Sequence, residues 1–353
     1  MPLITDPTHA RDIYQQAAAR GICLANFCTE NQRTTEAILR AAHTFGQTHG
    51  LPSVPVVLSA TANYPIEPQL RHYTGVDDAR LGLRALLADV DTFLSEDSPY
   101  CDVAVMLHLD HALPGYEEVI IPRCLDRFAT IMYDCSYFTF DENIRRTAEF
   151  VQRHGHQVMV EGCVDEIIQA EDAATEQGHL TDPAQAERYL AETGVDLLVP
   201  NLGTEHRSTA ASAHYDGALA QQISQRVGPR LVLHGSSSLA DADLPRLAGD
   251  GIVKVNVWSI FERLGGQAVA GHVLANLGNM LPAAVIAQLQ TEGMLGPRFS
   301  DPLFVEALCQ GELSPKGWAL VERGRRAVWQ EAVVARMLFY LEQFGYTCWQ
   351  QRL

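Results

Sequence analysis

The sequence predicts an α/β protein, a (β/α)8 TIM barrel with a C-terminal helical extension. Three observations lead there: eight short apolar or β-branched runs lie between residues 21 and 259, helix-like stretches separate them, and ionisable residues gather where the runs end. Near-continuous apolar strands alternating with amphipathic helices mean a parallel sheet covered on both faces. Eight such units close into a barrel. An open doubly wound sheet is the competing arrangement, and the lack of a GxGxxG string after the first run weighs against it.

The runs, in order, are GICLANF (21–27), VPVVLSA (54–60), VAVMLHLDH (103–111), FATIMYDCS (128–136), QVMVEGCV (157–164), DLLVPNLGT (196–204), RLVLHGSS (230–237) and IVKVNVWS (252–259). The helical stretches between them include TTEAILRAAHTFGQ, DARLGLRALLADVDTFL, DENIRRTAEFVQRHG, DPAQAERYLAETG and DADLPRLAGDG. Several open on Asp, a cap candidate, and close on Gly. DPAQAERYLAETG has Pro in its first turn and Gly at its end, the usual helix asymmetry. The alternation stops after residue 262. Residues 1–265 are therefore expected to form the barrel. Residues 266–353, helical in pattern, are expected to pack on it or to form an oligomer interface, with Val328, Val333, Val334, Met337, Leu338 and Leu341 as the apolar positions of the last stretch.

The 353-residue chain carries 26 basic and 43 acidic residues, a formal net charge of −17. That balance argues against nucleic acid and against an anionic membrane surface as partners, since both are bound through clustered Lys and Arg. A small anionic substrate remains open. None of the eight cysteines sits in a CxxC pair, and no signal peptide or apolar span of membrane length is evident, so the expectation is a reduced, cytoplasmic protein.

Function in a parallel barrel sits at the carboxyl ends of its strands. Those ends read His108-Leu109-Asp110-His111, Asp134-Cys135-Ser136, Glu161, Gly203-Thr204-Glu205-His206, His234-Gly235-Ser236-Ser237 and Lys254-Val255-Asn256. His111, His206 and His234 occupy equivalent ends of three strands. Three imidazoles with one open position make a catalytic zinc pattern; a single strand-end His would read equally well as a hydrogen-bonded structural residue. His108 and Asp110 lie two apart and share one strand face, which suits His108 to a supporting role.

These strings resemble a known family. HLDHA (108–112), YDCSYFTFDENIRRTAEFV (133–151), VEG (160–162), TDPAQAERYLAETGVDLLVPNLGTEH (181–206), LHGSSS (233–238) and IVKVNV (252–257) are similar, in order and spacing, to the class II zinc-dependent fructose- and tagatose-bisphosphate aldolases. The resemblance runs from about residue 21 to 262 and implies the same barrel. It implies one zinc per chain held by His111, His206 and His234, with Glu161 as an alternate ligand or a support. It also implies Asp110 as the acid/base for the hydroxyl proton, and Asn256 as a contact to the ketone-side hydroxyls. The expected reaction is reversible carbon–carbon cleavage of a ketose or ketose phosphate through a metal-stabilised enediolate. A second base would lie in the acidic loop 165–180, where Glu171 and Asp172 are candidates, each equally readable as part of a solvated loop. A sugar (phosphate) epimerase or isomerase on the same barrel, and a non-catalytic paralogue stabilising a partner, are the alternatives. A homodimer or homotetramer is the expected assembly.

The sequence departs from the family around the substrate. Arg207 stands where relatives have Gly, Gly235-Ser236-Ser237-Ser238 replaces a Gly-rich turn, and Trp258-Ser259 replaces an Asp-Thr-like pair. Glu161-Gly162-Cys163-Val164-Asp165 replaces E-x-E-L-G, and Asn26 precedes Phe27 where the family order is reversed. The metal set and Asp110 are kept while the phosphate cradle and lid are changed. Gly203, Gly235, Ser237, Ser259 and Arg207 are the candidate substrate contacts, Arg207 offering a planar fork for phosphate or carboxylate or else an outward ion pair.

Overall fold

Eight parallel strands close on themselves in the computed structural model, which describes residues 3–166, 180–204, 215–236, 239–275, 280–293 and 328–349. A two-residue strand β1 (Leu3–Ile4) precedes the ring. The ring itself is β2 (Leu24–Cys28), β3 (Val54–Thr61), β4 (Val103–Ala112), β5 (Thr130–Tyr133), β6 (Met159–Cys163), β7 (Leu197–Val199), β8 (Leu231–Leu233) and β9 (Ile252–Val257). Each strand pairs with the next, and β9 pairs with β2 in the register Asn26↔Asn256 to complete the barrel. β1 was not expected from the sequence. It occupies the edge of β4 at Val105 and Met106, before β5 begins its own pairing at His108.

The expected barrel is therefore present, with shorter strands than the apolar runs. The run 196–204 yields only Leu197–Val199 because Pro200 has no N–H to give to the ladder. The helices lie between the strands. In α1 (Pro7–Ala19), α2 (Gln32–His49), α3 (Gln69–His72) and α4 (Ala79–Phe93), the caps Asp6, Asn31 and Asp78 accept backbone N–H groups at the first turns of α1, α2 and α4. After α5 (Ile121–Cys124) and α6 (Phe140–His154), α7 (Pro183–Thr193) is capped by Asp182 and ended by Gly194 in the left-handed conformation. α8 (Gly217–Val227) begins at Asp216. DADLPRLAGDG forms a 3₁₀ segment, Asp241–Asp250, rather than an α-helix, because Pro245 inside it can neither donate nor fit an α turn.

The described chain divides into two compact units, residues 1–260 with 334–353, and residues 261–333. In the first, the end of the chain ties back to the start of β2: the Ala25 N–H donates to the Tyr346 hydroxyl at 2.8 Å and the Cys23 N–H to the Phe344 carbonyl at 3.0 Å. Phe344, Tyr346 and Trp349 are all buried there. In the second, Gly265 makes room for the ring of Trp329, whose nearest atom would sit 1.9 Å from an added Cβ. Among the described residues no helix is long and apolar enough to cross a membrane.

Candidate active site

The site begins with an irregularity in β4. On a regular strand Asp110 and His111 would face opposite sides of the sheet. The pairing of β4 with β5 shifts register between Leu109 and Ala112, and His111 has a positive φ of 44°, which costs a non-glycine residue about 1–2 kcal/mol. This bulge turns His111 to the side already occupied by Asp110. Ligand atoms of Asp110, His111 and His234, all buried, consequently lie within 4.8 Å of one another at the ends of β4 and β8.

Each member of the cluster is fixed from behind. His111 Nδ1 is 2.7 Å from the Asp134 carboxylate. An ionised carboxylate only accepts, so Nδ1 carries a hydrogen, and Nε2 is the ring atom left to bind a metal once it is deprotonated. Burial pushes the imidazole down, but Asp110 and Asp134 outweigh it and raise it. Burial pushes the Asp134 carboxyl up, but hydrogen bonds from His111 and Ser136 outweigh it and hold the group ionised. The Tyr64 ring stacks on the His111 imidazole at 4.5 Å. The Thr204 hydroxyl donates to the His234 carbonyl at 2.7 Å and so positions the turn after β8.

A line of asparagines aims Asp110. Asn26 Nδ2 donates to Asn256 Oδ1 at 2.6 Å, which turns the Asn256 amide toward Asp110 Oδ2 at 3.1 Å and His234 Nε2 at 3.0 Å. The reversed Asn26-Phe27 order thus places the amide inside the barrel, on the register partner of Asn256. Burial pushes the Asp110 carboxyl up, and the imidazoles of His111, His108 and His234 outweigh it, leaving the group well below the usual carboxylate range.

Beneath the cluster lies a charged floor. Lys254 on β9 and Glu161 on β6, both fully buried, are 2.5 Å apart. Lys254 Nζ is also 3.2 Å from His108 Nε2, while His108 Nδ1 bonds the Thr130 hydroxyl at 2.7 Å. Burial and the neighbouring ammonium push His108 down, so it stays neutral. Glu161, at 3.5 Å from His234 Nε2, is held ionised by Lys254 against the effect of burial.

The residues fit a divalent cation. Two imidazoles and a carboxylate converge in a buried space, one imidazole is backed by a carboxylate in the manner that raises ligand basicity, and Asp110 Oδ1 has no hydrogen-bond partner among the described residues. Of the expected ligands, His111 and His234 are brought together, and Glu161 is beside them but engaged by Lys254. Gly235, Asn256 and Ser259 line the adjoining cavity. The Gly203 N–H is taken up by Asn201 Oδ1 at 3.0 Å. His206, Arg207, Ser237, Glu171 and Asp172 lie outside the described residues. Sequence reading gave no role to Asp134, Lys254, Asn26 or Tyr64. Lys254 carried a signal, a charge inside the apolar run IVKVNV; Tyr64 carried none.

Comparison with known proteins gives the family and the fold. Residues 8–292 match the family described as fructose-bisphosphate aldolase class-II. A probable fructose-bisphosphate aldolase of Bacillus subtilis (strain 168) is 27% identical over 259 residues, 73% of this chain and 81% of that protein. A 6-phospho-5-dehydro-2-deoxy-D-gluconate aldolase of Shouchella clausii (strain KSM-K16) is 34% identical over 160 residues, 44% of this chain and about half, 53%, of that protein. The crystal structure of a fructose-bisphosphate aldolase from Campylobacter jejuni superposes with a TM-score of 0.68 at 16% identity, covering 97% of this chain and 94% of that one.

Proposed function

We propose that this chain, which belongs to the class II fructose-bisphosphate aldolase family, is a zinc-dependent lyase that reversibly cleaves a carbon–carbon bond of a ketose or ketose phosphate. The observation that carries the reading is the buried convergence of Asp110, His111 and His234 at the carboxyl ends of β4 and β8. His111, His206 and His234 would hold one zinc per chain, with Glu161 close by. When bound, the ion supplies a Lewis acid for the negative charge that develops as the bond breaks.

The remaining work belongs to side chains. Asp110, ionised and aimed by Asn256, takes the proton of the substrate hydroxyl in cleavage and returns it in condensation. Asn256 presents its amide to the ketone-side hydroxyls. Gly203, Gly235, Ser237, Ser259 and Arg207 receive an anionic end, and Glu171 or Asp172 supplies the second base. Residues 266–353 serve packing or a homodimer or homotetramer contact, and the compartment is the cytoplasm.

The test is incubation of metal-loaded protein with ketose phosphates, followed by quantitation of aldehyde and ketone fragments. Equal yields of two fragments support cleavage. A rearranged sugar without fragments would replace the aldolase reading with an epimerase or isomerase. Arg207→Ala should raise KM for a phosphorylated substrate by ~10-fold, or about 1.4 kcal/mol.

A further inference from the structure

The cavity beside the metal-ligand cluster has a charge pattern at odds with a doubly phosphorylated sugar. Among the described residues lining it, and lining the adjoining cavity bounded by Tyr64, Asp134 and Glu166, there is no lysine or arginine. Lys254 is committed to Glu161. Against this, Glu67 lines the first cavity together with Asp110. Glu30 stands behind Glu67, the two carboxylates lying 3.9 and 3.4 Å from His72 Nδ1. Burial and the neighbouring Glu67 both push the Glu30 carboxyl up, as expected in a negative field.

A phosphate brought next to Glu67 would lose its water and meet a like charge with no guanidinium or ammonium among the described lining residues to offset it. A neutral polyol meets a better match. Trp258 lines the same cavity, and its indole Nε1 is buried with no hydrogen-bond partner among the described residues. One buried donor and one carboxylate acceptor suit hydroxyl groups, which both give and take hydrogen bonds, and the indole offers a flat apolar face to sugar C–H groups. Like charge facing a competitor is also how a site rejects it.

We propose that Trp258 and Glu67 are specificity-determining residues, and that the substrate is a ketose whose terminus beside them is an uncharged polyol, so that it carries one phosphate at most. The inference rests on the aldolase reading, since it takes the occupant of the cavity to be a ketose.

Two measurements separate this inference from that reading. In the first, cleavage of fructose and tagatose 1-phosphates, 6-phosphates and 1,6-bisphosphates by the zinc-loaded protein is compared. A monophosphate should exceed the bisphosphate at least 10-fold in kcat/KM. Glu67→Gln should narrow that ratio, and Trp258→Phe, which keeps a ring and removes the N–H, should raise KM for the preferred monophosphate about 5-fold more than it lowers kcat. In the second, calorimetry with the non-cleavable glucitol phosphates should give the same ranking. Cleavage with the bisphosphate equal or preferred overturns this inference and leaves the aldolase standing. A ratio unmoved by Glu67→Gln and Trp258→Phe overturns it too. No cleavage of any sugar, with the monophosphate alcohol bound 10-fold tighter than the bisphosphate, overturns the aldolase reading and leaves the pocket's selectivity standing; no difference in binding overturns both.

Discussion

Replacing Lys254 with methionine tests whether the floor of the barrel depends on its ion pair. Lys254 and Glu161 are both fully buried at 2.5 Å, and among the described residues the second carboxylate oxygen has His234 Nε2 at 3.5 Å and no hydrogen bond. Removing the ammonium leaves a carboxylate with no countercharge in a dry interior. Such a deletion costs about 3–5 kcal/mol, mostly from stranding the remaining charge rather than from losing the attraction itself. Lys254→Met/Glu161→Leu removes both charges and should recover to within about 1–2 kcal/mol of the parent. The pH dependence changes sign as well. In the parent, Lys254 holds Glu161 below its ordinary value, so its contribution is present above about pH 4.5 and is lost as pH falls. In Lys254→Met, burial, the largest influence on Glu161, is opposed only by the weaker effects of His108 and His234, so the carboxyl rises and stability declines as pH climbs beyond about 4.5. Urea unfolding of the metal-free proteins at pH 5.5 and 8, followed by circular dichroism, should show the single variant's deficit growing with pH. A deficit below about 1 kcal/mol at pH 8, or a double variant no more stable than the single one, would refute the reasoning.

Four further outcomes are expected. His234→Ala and His206→Ala should each abolish stoichiometric zinc by elemental analysis; full occupancy in both would remove these residues from the metal site. Asp110→Asn should lower turnover by ~10²–10⁴ with zinc retained, whereas loss of zinc with turnover per bound ion unchanged would make Asp110 only a support. Asp134→Ala removes the acceptor at 2.7 Å from His111 Nδ1, and zinc affinity measured by chelator competition should fall ~10–100-fold while the far-ultraviolet spectrum is unchanged. Glu117 is buried where Asn63 N–H and Nδ2 donate to it at 2.6 and 3.1 Å, and burial pushes its carboxyl up to about 7. Its folded value lies above its unfolded one, so the protein should lose about 3 kcal/mol between pH 4.5 and 7.5, a slope that Glu117→Gln should flatten.

The linear order of apolar runs determined the barrel. Strands buried on both faces read as unbroken hydrophobic segments, and helices with Asp caps and Gly ends fall between them, so strand count and direction need only local information. The same order put His111 at the end of β4 and His234 just after β8, where function collects in any parallel barrel. Only the tertiary structure decided that Asp110 and His111 share a side. A period-two strand separates neighbours, and it is the bulge against β5, closed by the β4–β5 pairing, that brings them together. Asn26 and Lys254 are alike in this respect: one reads as a misplaced asparagine and the other as a lone charge in an apolar run. Each acquires its role from a partner 230 or 93 positions away, across strands whose register is set by closure of the ring. Apolar burial is nearly additive along a chain and so can be read from it. The direction of a buried hydrogen bond or ion pair depends on where its partner stands, and that position exists only once the barrel is closed.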